Sequence, residues 1–166
     1  MFLTVHATVG AIIGDKVSNP FLSFLLAIIF HFIFDMIPHG DKALSCFAKT
    51  ESQPGIISAD KFRTFVKAAA FDGGLVLILI LSGFGFQIFK NPLSVAFGIV
   101  GGILPDIAVS FYYMVSKNIF LKKFEQIHAF VHEGIIKSEL PLKIGILMQT
   151  IIAVILISIV IKKSVF

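Results

Sequence analysis

The sequence predicts an all-α protein: a multi-pass transmembrane bundle of about four to five membrane helices, with one amphipathic helix at its cytoplasmic face. The prediction depends on composition and on the spacing of apolar residues. Hydrophobic residues make up 57% of the 166 residues, charged residues only 14%, and the mean hydropathy is +0.95. A soluble domain of this size could not bury so much apolar surface. We therefore expect a single integral membrane domain, residues 1–166, solvated mostly by lipid.

Five apolar stretches are the predicted membrane helices. About 20 apolar residues in a helix cross the roughly 30 Å hydrocarbon core of a bilayer. The first stretch is shorter than this and predicts a short or half-spanning helix over residues 2–14. A signal peptide is the alternative, but no basic residue precedes the apolar run. The remaining stretches predict helices over residues 20–38, 58–89, 93–116 and 141–162.

Residues 118–137 differ from these stretches and form the predicted amphipathic helix. Apolar residues recur there at helical spacing, at Phe120, Phe124, Ile127 and Val131. Lysines and glutamates occupy the rest of the helical wheel. This pattern is typical of a helix that lies at the membrane interface or covers a site.

Lysine and arginine predict the orientation. They cluster in residues 39–67 and 116–143 and are sparse in the loops on the opposite side. The positive-inside rule places loops 39–57 and 117–140 in the cytoplasm, and we expect membrane lipid as the partner. The basic residues form no stripe, so nucleic acid is not an expected partner despite the net charge of +4. The single cysteine, Cys46, excludes an internal disulfide and a cysteine-based zinc cluster.

Histidines and acids inside the apolar helices are the candidate functional groups, because an ionisable group in a membrane span is costly. In an up-and-down bundle, the ends of helices two and four lie on the same face as the starts of helices one and three. The candidates occupy these helix ends or the amphipathic helix, so they are predicted to converge at the cytoplasmic face. They are His6, His31, Asp35, His39, Asp72, Asp106, His128 and His132.

Two spacings among these residues favour a metal site. His31 and Asp35 are four residues apart and share a helical face. An imidazole and a carboxylate so placed can bind zinc or a similar divalent cation. The alternative is that Asp35 only orients His31. Glu125, His128 and His132 share one side of the amphipathic helix, where the alternative is a solvated polar face.

Asp72 and Asp106 are the candidate catalytic carboxylates. Asp72, next to Gly73 and Gly74, is a candidate general base, with a ligand or a pairing role as alternatives. Asp106 follows Pro105, which leaves nearby backbone carbonyls without a donor. Asp106 is therefore either a ligand or a structural partner for a helix end. For His6 the alternative to metal binding is a hydrogen-bonded packing histidine.

Three short motifs resemble those of predicted membrane-bound metal-dependent hydrolases: HATVG at 6–10, FHFIFDMIPH at 30–39 and GILPD at 102–106. This resemblance implies a small multi-pass inner-membrane protein with His6, His31, Asp35 and Asp106 as metal ligands. More remotely, the spacing of His31, Asp35 and His39 is similar to that of the helical ligands of zinc-dependent phospholipase C.

The expected function is therefore a membrane-embedded hydrolase with a divalent metal, zinc in the first instance, acting on a lipid-linked phosphoester or another amphiphilic substrate. The alternatives are a non-catalytic metal or proton transporter and a structural membrane protein. The sequence contains no Gly-x-Ser-x-Gly elbow, Walker loop or Rossmann fingerprint, so serine hydrolase, nucleoside triphosphatase and dinucleotide chemistry are not expected.

Overall fold

A computed structural model describes residues 1–40, 47–48, 55–56, 59–114, 118–134 and 140–165. The predicted all-α class is confirmed. The helices in this part of the chain are α1 (Leu3–Val17), α2 (Pro20–Asp35), α3 (Ala59–Gly85), α4 (Pro92–Met114), α5 (Ile119–Ala129) and α6 (Leu142–Val165). A π-helical turn, Phe130–Gly134, continues α5. Two-residue strands, β1 (Phe47–Ala48) and β2 (Gly55–Ile56), pair antiparallel.

Three of these helices are long and apolar enough to cross a membrane: Phe62–Gly85 in α3, Pro92–Tyr113 in α4 and Leu142–Lys162 in α6. Their large apolar side chains are widely exposed, as Phe71 and Leu81 of α3 show, which suits a surface solvated by lipid. The predicted count of four to five spans is not confirmed. With 15 and 16 residues, α1 and α2 extend only about 22 and 24 Å at 1.5 Å per residue.

The short helix α1 is the buried centre of the bundle. The run from Thr4 to Ala11 is buried without a break, and α1 packs against α2, α3, α4 and α6. Its closest approach is to α4, where a Cβ on Gly10 or on Gly98 would overlap the backbone carbonyl of the other glycine. Small residues allow helix backbones to approach this closely in membrane bundles. The polar side chains of α1 are thus held inside the bundle.

The first turn of α1 is capped by side chains from other helices. Asp72 of α3 accepts hydrogen bonds from Leu3 N (2.6 Å) and Thr4 N (3.2 Å), as well as from the Thr4 hydroxyl. Gln149 of α6 accepts one from Phe2 N (2.6 Å). The first amides of a helix have no partner within the helix, and the positive end of the helix dipole favours a carboxylate. This capping joins α1 to α3 and α6.

The other end of α1 differs from the sequence prediction, which stops the helix at residue 14. The helix continues through Asp15 to Val17. Asp15 is buried, and its carboxylate accepts hydrogen bonds from Lys90 N (2.6 Å) and Asn91 N (3.2 Å). The charge is therefore tolerated inside the bundle, because it ties the end of α1 to the turn before α4.

One narrow stripe of α2 is buried, formed by residues four apart: Ser23, Ala27, His31 and Asp35. The remaining face is apolar and largely exposed, for example at Phe21 and Ile29. Residues at i and i+4 lie on one helical face, so this stripe turns His31 and Asp35 together toward the interior. The helix starts at Pro20, where Asn19 Oδ1 accepts a hydrogen bond from Leu22 N (3.0 Å).

The predicted amphipathic helix corresponds to α5 and the turn that follows it. The α-helical part stops at Ala129, and a π-helical turn carries the chain to Gly134. Residues 135–137 of the predicted helix lie outside the described residues. A π turn widens the helix by one residue and is frequent at functional sites. This turn carries His132, whose ring centroid lies 5.6 Å from that of His128.

Candidate metal centre

All five histidines of the chain gather around the carboxylates of Asp35 and Asp106. They come from different parts of the bundle: His6 from α1, His31 from α2, His39 from the segment after α2, His128 from α5 and His132 from the π turn. Two groups have ligand atoms that all lie within 4.8 Å of one another. We call His31, Asp35, Asp106 and His128 the four-residue cluster, and Asp35, His39 and His132 the three-residue cluster.

In the four-residue cluster the imidazole nitrogens face the carboxylates at short range. His31 Nε2 lies 3.0 Å from Asp35 Oδ2 and 3.7 Å from Asp106 Oδ1. His128 Nε2 lies 3.3 Å and 3.4 Å from the same two oxygens, and 3.2 Å from His31 Nε2. Four ligand atoms thus surround one small volume, and two nitrogens with two oxygens suit zinc and related divalent ions.

The backbone of α4 fixes the orientation of the His31 ring. His31 Nδ1 lies 2.7 Å from the carbonyl oxygen of Gly102. Because a carbonyl only accepts hydrogen bonds, Nδ1 carries the proton, and Nε2 of the neutral ring presents its lone pair to the cluster. A hydrogen bond to the second ring nitrogen is the usual way in which a metal-binding histidine is oriented.

One buried oxygen lacks a hydrogen bond. Asp35 Oδ2 is close to His31 and His128, but the angles are not those of a hydrogen bond, and it has no such partner in the described part of the chain. A carboxylate that is 1% exposed is costly to leave unsatisfied. A cation among these atoms would satisfy Oδ2, so the residues present fit a divalent metal.

The electrostatics of the cluster favour positive charge. Burial alone would lower the pKa of His128, but the carboxylates of Asp106 and Asp35 outweigh burial and raise the pKa to about 9. In the absence of a metal, a proton on His128 therefore supplies the charge that the two carboxylates attract. A bound cation would take its place, because histidine must be deprotonated to act as a ligand.

His6, predicted as a ligand, contacts the other oxygen of Asp35 and lies outside the four-residue cluster. Its Nε2 is 3.1 Å from Asp35 Oδ1, which also accepts a hydrogen bond from the Met1 amino group at 3.0 Å. His6 Nδ1 is buried and has no hydrogen-bond partner among the described residues. A ring that donates from Nε2 leaves Nδ1 as an acceptor. This contact is suited to orienting Asp35, and the role of His6 as a metal ligand stays a prediction.

The three-residue cluster joins the segment after α2 to the π turn. His39 Nε2 lies 3.0 Å from His132 Nε2. The position of His39 is fixed from α6, where Gln149 Nε2 donates a hydrogen bond to the His39 carbonyl oxygen (2.9 Å). His39 is buried, and its ring packs edge-on against His132 with centroids 4.5 Å apart.

Asp72 is not brought into either cluster. Both of its carboxylate oxygens accept hydrogen bonds from the first turn of α1, so we place it among the groups that position His6. The contacts of Asp72 are thus those of a helix cap, and its role as a general base stays a prediction.

Replacing Asp72 with alanine should distinguish these two roles. We expect Asp72→Ala to lower the free energy of unfolding by about 1–2 kcal/mol, as loss of a helix cap does, while the bound metal is retained. Thermal unfolding in detergent measures the change in stability, and elemental analysis measures the metal content. A variant with unchanged stability and metal content but no activity would restore Asp72 as the catalytic base.

Other polar residues serve to hold helices together. Glu125, predicted on the same side as His128, accepts a hydrogen bond from the Tyr113 hydroxyl (2.7 Å) and fastens α5 to α4.

Sequence reasoning missed Thr4, the Gly102 carbonyl and Gln149. Of these only Gln149 carried a signal, as a lone glutamine in an apolar helix. Asp41 and Cys46 lie outside the described residues.

Fold and site together define a helical protein with three helices able to cross a membrane and a buried histidine and aspartate centre suited to a metal. Comparisons with known protein families, curated proteins and solved structures gave no match.

Proposed function

We propose that this protein is a membrane-embedded, metal-dependent hydrolase. The observation that carries the proposal is the convergence of the histidines on Asp35, whose buried Oδ2 has no hydrogen-bond partner in the described chain. The ligands of the metal are His31, Asp35, Asp106 and His128, and zinc is the cation we expect. Bringing five histidines and two aspartates together inside an apolar bundle is costly unless the site binds something.

The residues around the metal have separable roles. When bound, a divalent cation supplies Lewis acidity toward an ester oxygen and activates water at neutral pH. Asp106 is the more exposed carboxylate, with 23% of its side chain accessible, so it is the group that a substrate can reach. Its Oδ1 faces the histidines, while its Oδ2 lies 4.0 Å from His6 Nε2. We assign to Oδ2 the acceptance of the proton from the attacking water.

The surroundings of the site favour an amphiphilic substrate. Leu104 and Ile107, which lie near Asp106 along α4, and Ile127 and Phe130, which lie near His128 along the chain, are exposed apolar residues. Exposed apolar surface next to a polar site suits a lipid tail with a hydrolysable headgroup. A lipid-linked phosphoester at the cytoplasmic face of the inner membrane is therefore the proposed substrate, with the orientation taken from the distribution of lysine and arginine.

Metal content and metal-dependent activity test the proposal. We expect protein purified in detergent under zinc-replete conditions to retain stoichiometric zinc and to hydrolyse a phosphoester lipid. Chelation should abolish hydrolysis, and added zinc should restore it. His31→Ala should lose both zinc and activity, whereas Lys122→Ala, an exposed change on α5, should keep both.

Two results would contradict the proposal. One is a well-folded wild-type protein that holds no zinc under replete conditions. The other is a zinc-loaded protein that hydrolyses no phosphoester or ester lipid but carries zinc across a liposome membrane, which would identify a transporter instead.

A further inference from the structure

We propose that the centre holds two divalent cations that share the carboxylate of Asp35, one in the four-residue cluster and one in the three-residue cluster. This inference rests on the proposed metal-dependent function and extends it. It names a second metal site, formed by His39 and His132 together with Asp35, and it favours a phosphoester as the substrate.

The two clusters have Asp35 in common and otherwise use different residues. In each cluster the ligand atoms lie within 4.8 Å of one another. A carboxylate offers about four lone-pair sites, so Asp35 can serve two cations while its Oδ1 still accepts hydrogen bonds from the Met1 amino group and His6. Since Asp35 is buried and the rings of His128 and His132 are 5.6 Å apart, the clusters are adjacent parts of one centre.

The three-residue cluster is positioned independently of the first. His39 follows α2, and its carbonyl is held by the Gln149 side chain. A Cβ on Gly145 would overlap the same carbonyl, so α6 approaches His39 closely. His132 lies on the π turn that continues α5. The segment after α2 and this turn thus bring the two Nε2 atoms to 3.0 Å.

A shared pair of cations has a specific use. Two metals about 3.5–4 Å apart stabilise both the attacking and the leaving oxygen of an in-line displacement at phosphorus. Hydrolysis of a phosphoester breaks the P–O bond to the alcohol and forms a P–O bond to the water oxygen; Asp106 would accept a proton from the water and return it to the departing alkoxide, which leaves as the alcohol. The pairing therefore suits a lipid phosphoester.

Manganese provides a probe that does not depend on activity. We expect wild-type protein loaded with Mn²⁺ in detergent to bind two ions per chain and to give an exchange-coupled electron paramagnetic resonance spectrum. His132→Ala should bind one ion and give the spectrum of isolated Mn²⁺, and His128→Ala should do the same. Asp35→Asn should bind neither ion tightly, while the exposed control Gln126→Ala should match the wild type.

Each alternative outcome has a distinct meaning. If the wild type binds only one ion, and His132→Ala also binds that ion, the two-cation centre is overturned. The hydrolase proposal is unaffected by this result. Two uncoupled ions overturn the shared role of Asp35. A wild type without metal overturns this inference and the proposed function together. If His132→Ala does not elute as a single folded species, His39→Gln replaces it, with the same expected loss of one ion.

Discussion

Asp35→Asn is expected to abolish metal binding and hydrolysis, the largest effect of any single change in this protein. The amide has the size of the carboxylate but lacks its charge, and Asp35 is the residue common to both clusters. Loss of a group that merely supports a ligand weakens metal affinity by about 10- to 100-fold. We therefore expect Asp35→Asn to weaken the affinity for zinc by more than about 100-fold. Titration of the metal-free protein with zinc measures the change.

Asp60→Asn is the matched control, because Asp60 is an exposed carboxylate in the first turn of α3. It should bind zinc as the wild type does. Since Asp35 also contacts the Met1 amino group and His6, the folded state of Asp35→Asn is checked by its elution from a sizing column. A folded Asp35→Asn protein with wild-type zinc affinity would contradict the proposed centre.

Gly98→Ala is expected to have the second largest effect, this time on the fold. The added methyl group would overlap the backbone carbonyl of Gly10. Because the obstacle is backbone rather than a movable side chain, α1 and α4 must separate. Overpacking of a core costs about 1–3 kcal/mol, and here the displaced helix carries His6. We expect a melting temperature lowered by several degrees and weakened zinc binding.

Gly73→Ala supplies the comparison for this prediction. Gly73 lies within α3, and a Cβ there meets no atom within 4 Å. Alanine is favoured over glycine in a helix by about 1 kcal/mol, so this variant should be as stable as the wild type or more so. Equal stability of the two variants would show that the glycine contact between α1 and α4 is not required.

Local spacing was enough to predict part of the site. Residues four apart on a helix always share a face, so the pairing of His31 with Asp35 follows from sequence, and Pro20 and Asn19 mark where that helix starts. The alternation of helix ends in a bundle likewise predicted that His6, Asp106 and His128 approach these residues. The sequence shows which end of each helix carries polar groups, so this expectation required no knowledge of how the helices pack against one another.

The role of each polar residue could not be predicted this way. Asp72 and Asp106 look alike in sequence, each an acid within an apolar helix. Asp72 meets the unpaired amides of α1, whereas Asp106 meets two imidazoles. The difference between the two acids depends on which helix packs against each of them. The burial of Asp15 against the amides of Lys90 and Asn91 has the same origin.

The sequence by itself determined the helical class, the apolar surface, and the gathering of ionisable residues toward one end of the bundle, because these depend on composition and on the fixed repeat of a helix. Only the tertiary structure decided that the shortest apolar helix, α1, is the buried centre, that His39 and His132 form a second group, and that Asp35 belongs to both groups. Those facts depend on contacts between residues far apart in the chain, such as Gly10 with Gly98 and Gln149 with His39. No local spacing encodes such contacts.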